Sequence, residues 1–455
     1  MRKPSDLDRR EFLKIGAAAG AGLAAGATSA AAAATAGAPI VRPPVAESMI
    51  GVPFERHAEV RVAIVGTGLR GRSVLGELLG VEHVRIKALC DIVPEKVAMA
   101  TEQMRAAGHD YSVATFTSGE RAFEELVRRD DIDIVYTATP WEWHVPVCVA
   151  AMEQGKHAAT EVPAAYTIDE CWTLVDTSER TRRHCVMMEN CNYGYNELLV
   201  LNMVRAGLFG ELKHAGAAYN HDLRAILFEK KDEGLWRRAH HTQRNGNLYP
   251  THGLGPVALY LDIDRGDRFD YLVSMSTPEV GLTKWRADHA ATKSDRAGER
   301  YLTGDLNVSL IKTAKGRTIR LEHDVSSPRP YSRINSVQGA NGIFEDYPPR
   351  IYLDGMTPGH RWQSIDAFTA EHEHELWRTL GEKARSSGHG GMDYLMTWRL
   401  VHCMREGLVP DIDVYDAAAW SAPGPLSEQS VRNGSAPVKF PDFTRGKWRE
   451  ARITL

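Results

Sequence analysis

The chain has 455 residues, with 55 lysines and arginines against 59 aspartates and glutamates, a net charge of −4. That length suits two or three domains of ~100–200 residues. The charge offers no basic surface to nucleic acid or to an anionic membrane, and past residue 38 no apolar run is long enough to span a bilayer.

The chain opens with Arg9-Arg10-Glu11-Phe12-Leu13-Lys14 and an Ala/Gly-rich stretch over 15–38. Twin arginines before a mildly apolar run resemble a bacterial twin-arginine (Tat) signal, with Asp8 where Ser or Thr is common. Residues 1–38 are therefore expected to be a Tat-type signal peptide and 39–59 a linker. So much Ala and Gly makes a poor permanent anchor. The expected partner is the Tat machinery, and the expected location is periplasmic or otherwise extracytoplasmic.

The apolar run 60–65 leads into Gly66-Thr67-Gly68-Leu69-Arg70-Gly71, and a helix-compatible segment follows. Gly66 permits the tight turn, Gly68 lets backbone approach a pyrophosphate, and Gly71 lets helix and strand pack closely. The helix N-terminus adds free N–H groups and the positive end of a dipole. A second apolar strand, 84–90, ends in Asp91, 20 residues past Gly71. A carboxylate there accepts from the adenosine ribose hydroxyls and disfavours a 2′-phosphate, so the expected cofactor is NAD.

Helices read over 93–107, 120–129, 145–154 and 168–181 then alternate with strands over 111–116, 132–136, 157–161 and 184–189. Such alternation means βαβ units and a parallel sheet with its ligand crevice at the strand C-termini. From about Cys191 the pattern changes. A helix over 197–206 precedes strands over 213–220, 271–276, 307–313, 317–325, 336–339 and 351–353, then helices over 370–384 and 393–406. The expected fold class is α/β: an N-terminal Rossmann doubly wound parallel sheet (60–190), then an α+β domain with an open, mostly antiparallel sheet (191–455). The charged stretch 284–300 reads as a solvated excursion. Six cysteines without C-x-x-C read as buried free thiols. His240-His241 and His372-x-His374 lack a third ligand at a recognised spacing, so no metal is expected.

A Rossmann domain followed by an open-sheet domain resembles the Gfo/Idh/MocA group of sugar-active NAD(P) proteins. Dehydrogenases of that group usually carry Glu-Lys-Pro after strand five and an Asp four residues before a catalytic His. Here the tripeptide is Glu161-Val162-Pro163, and Leu248 stands four before His252. Trp141-Glu142-Trp143-His144, Glu189-Asn190 and the run from Asn247 through Tyr249-Pro250-Thr251-His252-Gly253-Leu254-Gly255-Pro256 resemble one branch, glycoside hydrolase family 109. The resemblance implies an enzyme, an NAD-dependent α-N-acetylgalactosaminidase. It implies that Arg70, Gly71, Asp91, Trp141, Glu142, Trp143, His144, Glu161, Val162, Asn190 and Arg238 hold NAD. It sets Tyr219, Tyr249, Pro250, Thr251, His252 and Tyr331 against the sugar, with Tyr249 also at the nicotinamide. His252 is the expected catalytic base, because imidazole suits proton transfer near neutral pH. Tyr249 and Tyr193 are further acid or base candidates.

Most glycosidases place two carboxylates across the bond, and NAD-dependent ones are an exception. The implied route moves a hydride from sugar carbon 3 to tightly held NAD and a proton from carbon 2 to a base. The leaving group is eliminated, water adds at carbon 1 and the hydride returns, with retention at the anomeric carbon. NAD ends as it began, which suits an exported protein, since free NAD is scarce outside the cytoplasm. Two other classes compete: a sugar or polyol dehydrogenase, which would release NADH, and a non-catalytic sugar-binding protein of the same fold. A homodimer formed through a sheet face is the expected assembly.

Overall fold

The computed structural model describes residues 40–289, 296–452 and 455. The expected export signal lies outside the described residues. The first sheet contains β1 (Val60–Val65), β2 (Val84–Cys90), β3 (Ala114–Phe116), β4 (Ile134–Thr137), β5 (His157–Thr160) and β6 (Cys185–Met187). All pair in parallel, in the order β3-β2-β1-β4-β5-β6. Helices cover this sheet, so β4, β5 and β6 are buried at every position. The order reverses between β1 and β4. The ligand crevice therefore opens at their C-terminal ends, at Gly66 and Thr139.

The second sheet has eight strands: β7 (Leu212–Asn220), β8 (Phe269–Ser276), β9 (Asn307–Thr313), β10 (Thr318–Asp324), β11 (Ser336–Gly339), β12 (Gly342–Glu345), β13 (Arg350–Leu353) and β14 (Val438–Lys439). Their order is β13-β12-β11-β7-β10-β9-β8-β14. Only the β7–β10 pair is parallel. Burial alternates along β9, the period-2 mark of a strand with one covered face.

The structure departs from the sequence expectations at several places. Residues 40–59 are no free linker. Met49 and Phe54 are buried, and the Phe54 ring packs against His157 and His184. The helix over 120–129 shrinks to Phe123–Leu126. The helix over 370–384 divides into Thr369–His372 and Glu375–Ala384, because His374 leaves the helix and its Nδ1 accepts from the Leu376 N–H at 3.2 Å. Strands β12 and β14 and the helices Val414–Ser421 and Pro423–Arg432 were not expected. The stretch over 284–300 is not simply solvated: Gly281–Asp288 is helical, and Glu299 pairs with Arg238 at 3.0 Å. The C-terminal helices also return to the first sheet. Met392–Glu406 packs on Leu69–Leu79, and Val414–Ser421 on Ile168–Thr181. All six cysteines are buried and free. Among the described residues no helix is long and apolar enough to cross a membrane.

Candidate functional site

The glycine-rich turn has the shape a dinucleotide requires. Gly66 lies at φ +86°, and a Cβ there would come within 2.7 Å of the Ala138 carbonyl oxygen. A Cβ on Gly71 would meet the Gly66 oxygen at 1.8 Å, so this close approach of helix to strand admits only glycine. At Gly68 a Cβ would meet only Lys96 Nζ, at 3.5 Å, which leaves that face of the loop open. The helix Leu69–Leu79 has no side-chain cap and no acid in its first turn. Its N–H groups and dipole are free for an anion. Asp91 braces the loop: it accepts from Thr67 N–H at 2.7 Å and Val93 N–H at 2.9 Å. The Thr67 hydroxyl also donates to it at 3.3 Å; an ionised carboxylate has about four lone-pair positions, so capacity remains for a ribose hydroxyl. These residues fit NAD.

Farther along the crevice, Arg70 and Asn190 converge on Asp393, which the sequence analysis missed, and Arg70 bridges it to Glu161. Arg70 donates to Glu161 at 2.7 Å and to Asp393 at 2.6 Å. Tyr136 donates to Glu161 at 2.7 Å, and Asn190 to Asp393 at 2.7 Å. His389 Nδ1 lies 2.8 Å from Asp393. Burial opposes ionisation of Asp393, but His389 and Arg70 hold its carboxyl well below the usual range. The hydrogen bond to Asp393 raises His389 in turn.

Several residues expected to hold NAD do other work. Both ring nitrogens of His144 face main-chain carbonyls, Pro163 at 2.8 Å and Thr139 at 3.0 Å, so this buried ring ties two loops together. Trp143 turns edge-on to Phe123, Glu142 is exposed, and the Val162 side chain is buried. Arg238 is spent on Glu299 and on the carbonyls of Leu227 and Gly234. Consecutive residues of a helix point about 100° apart, and it is Arg237 that enters the site. Tyr193 is buried and gives its hydroxyl to Asp411 at 3.0 Å; burial, then Asp411, push it well above its ordinary value. A phenol held there has no path to act as the expected acid or base.

Trp141, Tyr219, Tyr249, His252 and Tyr331 do come together. Tyr249 stacks on Trp141 with centroids 5.9 Å apart and lies 4.5 Å from Tyr219. The Tyr331 ring stands edge-on to Tyr219 at 6.2 Å. Arg237, buried and paired with Glu233 at 2.5 Å, sets its guanidinium 4.7 Å from the Tyr249 centroid and 5.4 Å from that of Trp141.

His252 sits in the first turn of the helix Thr251–Tyr260, which buried Pro250 and Thr251 start. Gly253 brings that helix onto β7, where a Cβ would meet the Ala218 nitrogen at 2.3 Å. Gly255 does the same beside Asn192, where a Cβ would meet Oδ1 at 2.3 Å. Pro256 lacks the N–H that would bond the His252 carbonyl. The motif is thus a packing device that presents His252, whose side chain is 16% exposed.

His252 Nδ1 lies 2.7 Å from Glu189 Oε1, and its Nε2 lies 3.4 Å from the Tyr249 hydroxyl. Burial would raise Glu189, yet His252 beside it and the hydrogen bonds it accepts hold it below the usual carboxylate range. An ionised carboxylate only accepts, so the proton of a neutral imidazole sits on Nδ1 and the Nε2 lone pair faces the Tyr249 hydroxyl. Burial, then Tyr219, push Tyr249 well above its ordinary value and keep it a neutral phenol. The Glu189 role was missed although the residue stood in the Glu-Asn motif.

Residues 60–189 match the family model "Oxidoreductase family, NAD-binding Rossmann fold", and residues 193–450 match "Glycosyl hydrolase 109, C-terminal domain". A glycosyl hydrolase family 109 protein of Solibacter usitatus is 56% identical over 97% of this chain and 98% of its own. An alpha-N-acetylgalactosaminidase of Shewanella oneidensis is 47% identical over 98% of each chain. An inositol dehydrogenase homolog from Azotobacter vinelandii, solved with NAD+, shares the fold at a TM-score of 0.61 and 17% identity, over 85% of this chain and 99% of that one. With an NAD-binding Rossmann domain, a histidine–carboxylate pair at its crevice and this degree of identity, the chain belongs to glycosyl hydrolase family 109 and is a glycoside hydrolase.

Proposed function

We propose that this enzyme releases terminal α-linked N-acetylgalactosamine from glycans by redox, elimination and addition. NAD stays bound and is recycled, and the protein works outside the cytoplasm after Tat export. On this reading residues 60–190 hold the cofactor and 191–455 the sugar. The observation that carries the reading is the line Glu189–His252–Tyr249, which sets one oriented base at the crevice. The name of the Shewanella oneidensis relative supports the sugar, and Arg9-Arg10 supports the export route.

Bound NAD supplies a reversible hydride acceptor. The chain supplies everything else. His252 Nε2 takes the carbon 2 proton that a ketone at carbon 3 makes acidic, and Glu189 stabilises the imidazolium. Tyr249, a neutral phenol, donates rather than abstracts. Trp141 and Arg237 wall the site and orient the ring. Val162 and Leu248 occupy, with buried apolar side chains, the positions where dehydrogenases of the group carry lysine and aspartate. That counts against the dehydrogenase alternative. The outer face of the second sheet, with Met275 and Leu310 exposed, is the surface we assign to a homodimer.

Hydrolysis of an aryl α-N-acetylgalactosaminide in heavy water should yield product deuterated at carbon 2, with no net rise in NADH absorbance. Unlabelled product would exclude the route, and stoichiometric NADH would favour the dehydrogenase.

One ion pair across the crevice supports the proposed retention of NAD. Lys96, beside the open face of Gly68, pairs at 3.3 Å with Asp232 of the segment that carries Arg237. This half-exposed pair links the two walls of the crevice. Asp232→Ala should speed NAD dissociation about threefold, the scale of such an ion pair. Displacement of bound NAD by excess analogue would measure it, and an unchanged rate would remove the pair from the retention mechanism.

A further inference from the structure

We propose that a polar cleft separated from His252 by the Tyr219 and Tyr331 rings is a subsite for a second sugar, the one attached through the scissile oxygen on the leaving-group side. The inference rests on the function proposed above. The cleft has a volume of about 440 Å³ and is lined by Glu197, Tyr331, Arg333, Asp346, Tyr347 and His389, among others. That volume lies within the ~300–1,000 Å³ of small-molecule sites.

Tyr331 is the wall shared with the catalytic pocket. One side of it meets Tyr219 at 6.2 Å and His221 at 4.9 Å; the Tyr347 ring stands 6.1 Å away. Tyr219 in turn lies 5.4 Å from the His252 ring. On this proposal the group leaving carbon 1 passes from the His252 side of Tyr219 and Tyr331 into the cleft on the other side.

The walls are held rigidly. Arg333 is 9% exposed, donates to Tyr331 at 3.2 Å and to Glu197 at 2.5 Å, and lies 5.6 Å and 5.7 Å from the ring centroids of Tyr331 and Tyr347. Gly194 makes room for Glu197, since a Cβ there would sit 2.0 Å from Oε2. Asp346 accepts from Asn196 at 3.2 Å and from the Tyr347 N–H at 2.7 Å, and retains further lone pairs. His389 faces the cleft with a 60% exposed side chain whose other nitrogen is fixed by Asp393.

This inventory matches a pyranose. Tyr347, 37% exposed, offers an aromatic face to the C–H side of a ring. A carboxylate and an imidazole at fixed positions take vicinal hydroxyls as donors and acceptors. Arg333 is already paired with Glu197 and His389 with Asp393, so among the described lining residues no cation is left without a carboxylate partner to take a phosphate or sulfate. Its polar lining also disfavours an aliphatic aglycone or an apolar peptide side chain.

The test compares kcat/KM for an α-N-acetylgalactosaminyl-hexose disaccharide with kcat/KM for the corresponding aryl glycoside, using the full-length holoenzyme. The ratio of the two is independent of the fraction of correctly folded protein. Tyr347→Ala and the shape-conserving Asp346→Asn should each lower the disaccharide-to-aryl ratio about tenfold. An unchanged ratio in both variants would overturn the subsite while leaving the proposed function intact. So would a loss confined to a glycopeptide substrate, which would assign the cleft to peptide. Failure of the wild-type enzyme to cleave either glycoside would overturn the proposed function itself, and the subsite with it.

Discussion

His252→Ala is expected to lower kcat on an aryl α-N-acetylgalactosaminide by about 10³-fold, within the range of a lost general base. That is about 4 kcal/mol of transition-state stabilisation. Bound NAD should be retained at wild-type stoichiometry, because Gly66, Gly71 and Asp91 make no contact with the imidazole. The two readouts are steady-state turnover and the NAD released on denaturation. The alanine variant should also stop washing deuterium into carbon 2. Near-wild-type turnover would remove His252 from the chemistry.

Glu189→Gln should cost about 10²-fold in kcat with KM little changed. Glu189 is fully buried and contributes no surface of its own to the crevice, so it acts through His252 as a positioning residue. The carboxylate only accepts and so fixes the imidazole proton on Nδ1. An amide can donate to Nδ1 instead, which puts the proton on Nε2 and removes the lone pair on which the proposed proton transfer depends. Glu189→Asp keeps the charge while retreating by one methylene, and should recover part of the loss. A purely structural role would instead lower NAD content and thermal stability in both variants alike. Measuring kcat, KM and bound NAD for the pair separates the two cases.

What the sequence carried was local. The turn Gly66–Gly71 and Asp91 were legible because their constraints act over a few bonds: a positive φ at Gly66, a missing Cβ at Gly71 and a strand end at Asp91. The Tyr249–Pro256 run was legible as a motif, and its glycines prove to be the points where the His252 helix meets β7 and Asn192. Most strands followed from apolar runs or alternation. β12 and β14 did not: β14 has two residues, too few for a pattern, and in β12 adjacent Ile343 and Phe344 between Gly342 and Glu345 show no alternation.

Tertiary packing decided the rest. Asp393 lies 323 residues beyond Arg70; the helix that carries it was legible, but its return to the crevice rests on long-range contacts that the local sequence does not mark. Arg237 and Arg238 are equivalent as letters; helical phase sends one to Tyr249 and the other to Glu299. His144 and Tyr193 had the residue types of functional groups, but their partners, two carbonyls and Asp411, turned them into structural ties. Residue type and spacing determine which chemistry a chain can offer. Which atoms face the crevice, and which carboxylate orients His252, depends on side-chain direction and long-range contact, and those exist only in the folded molecule.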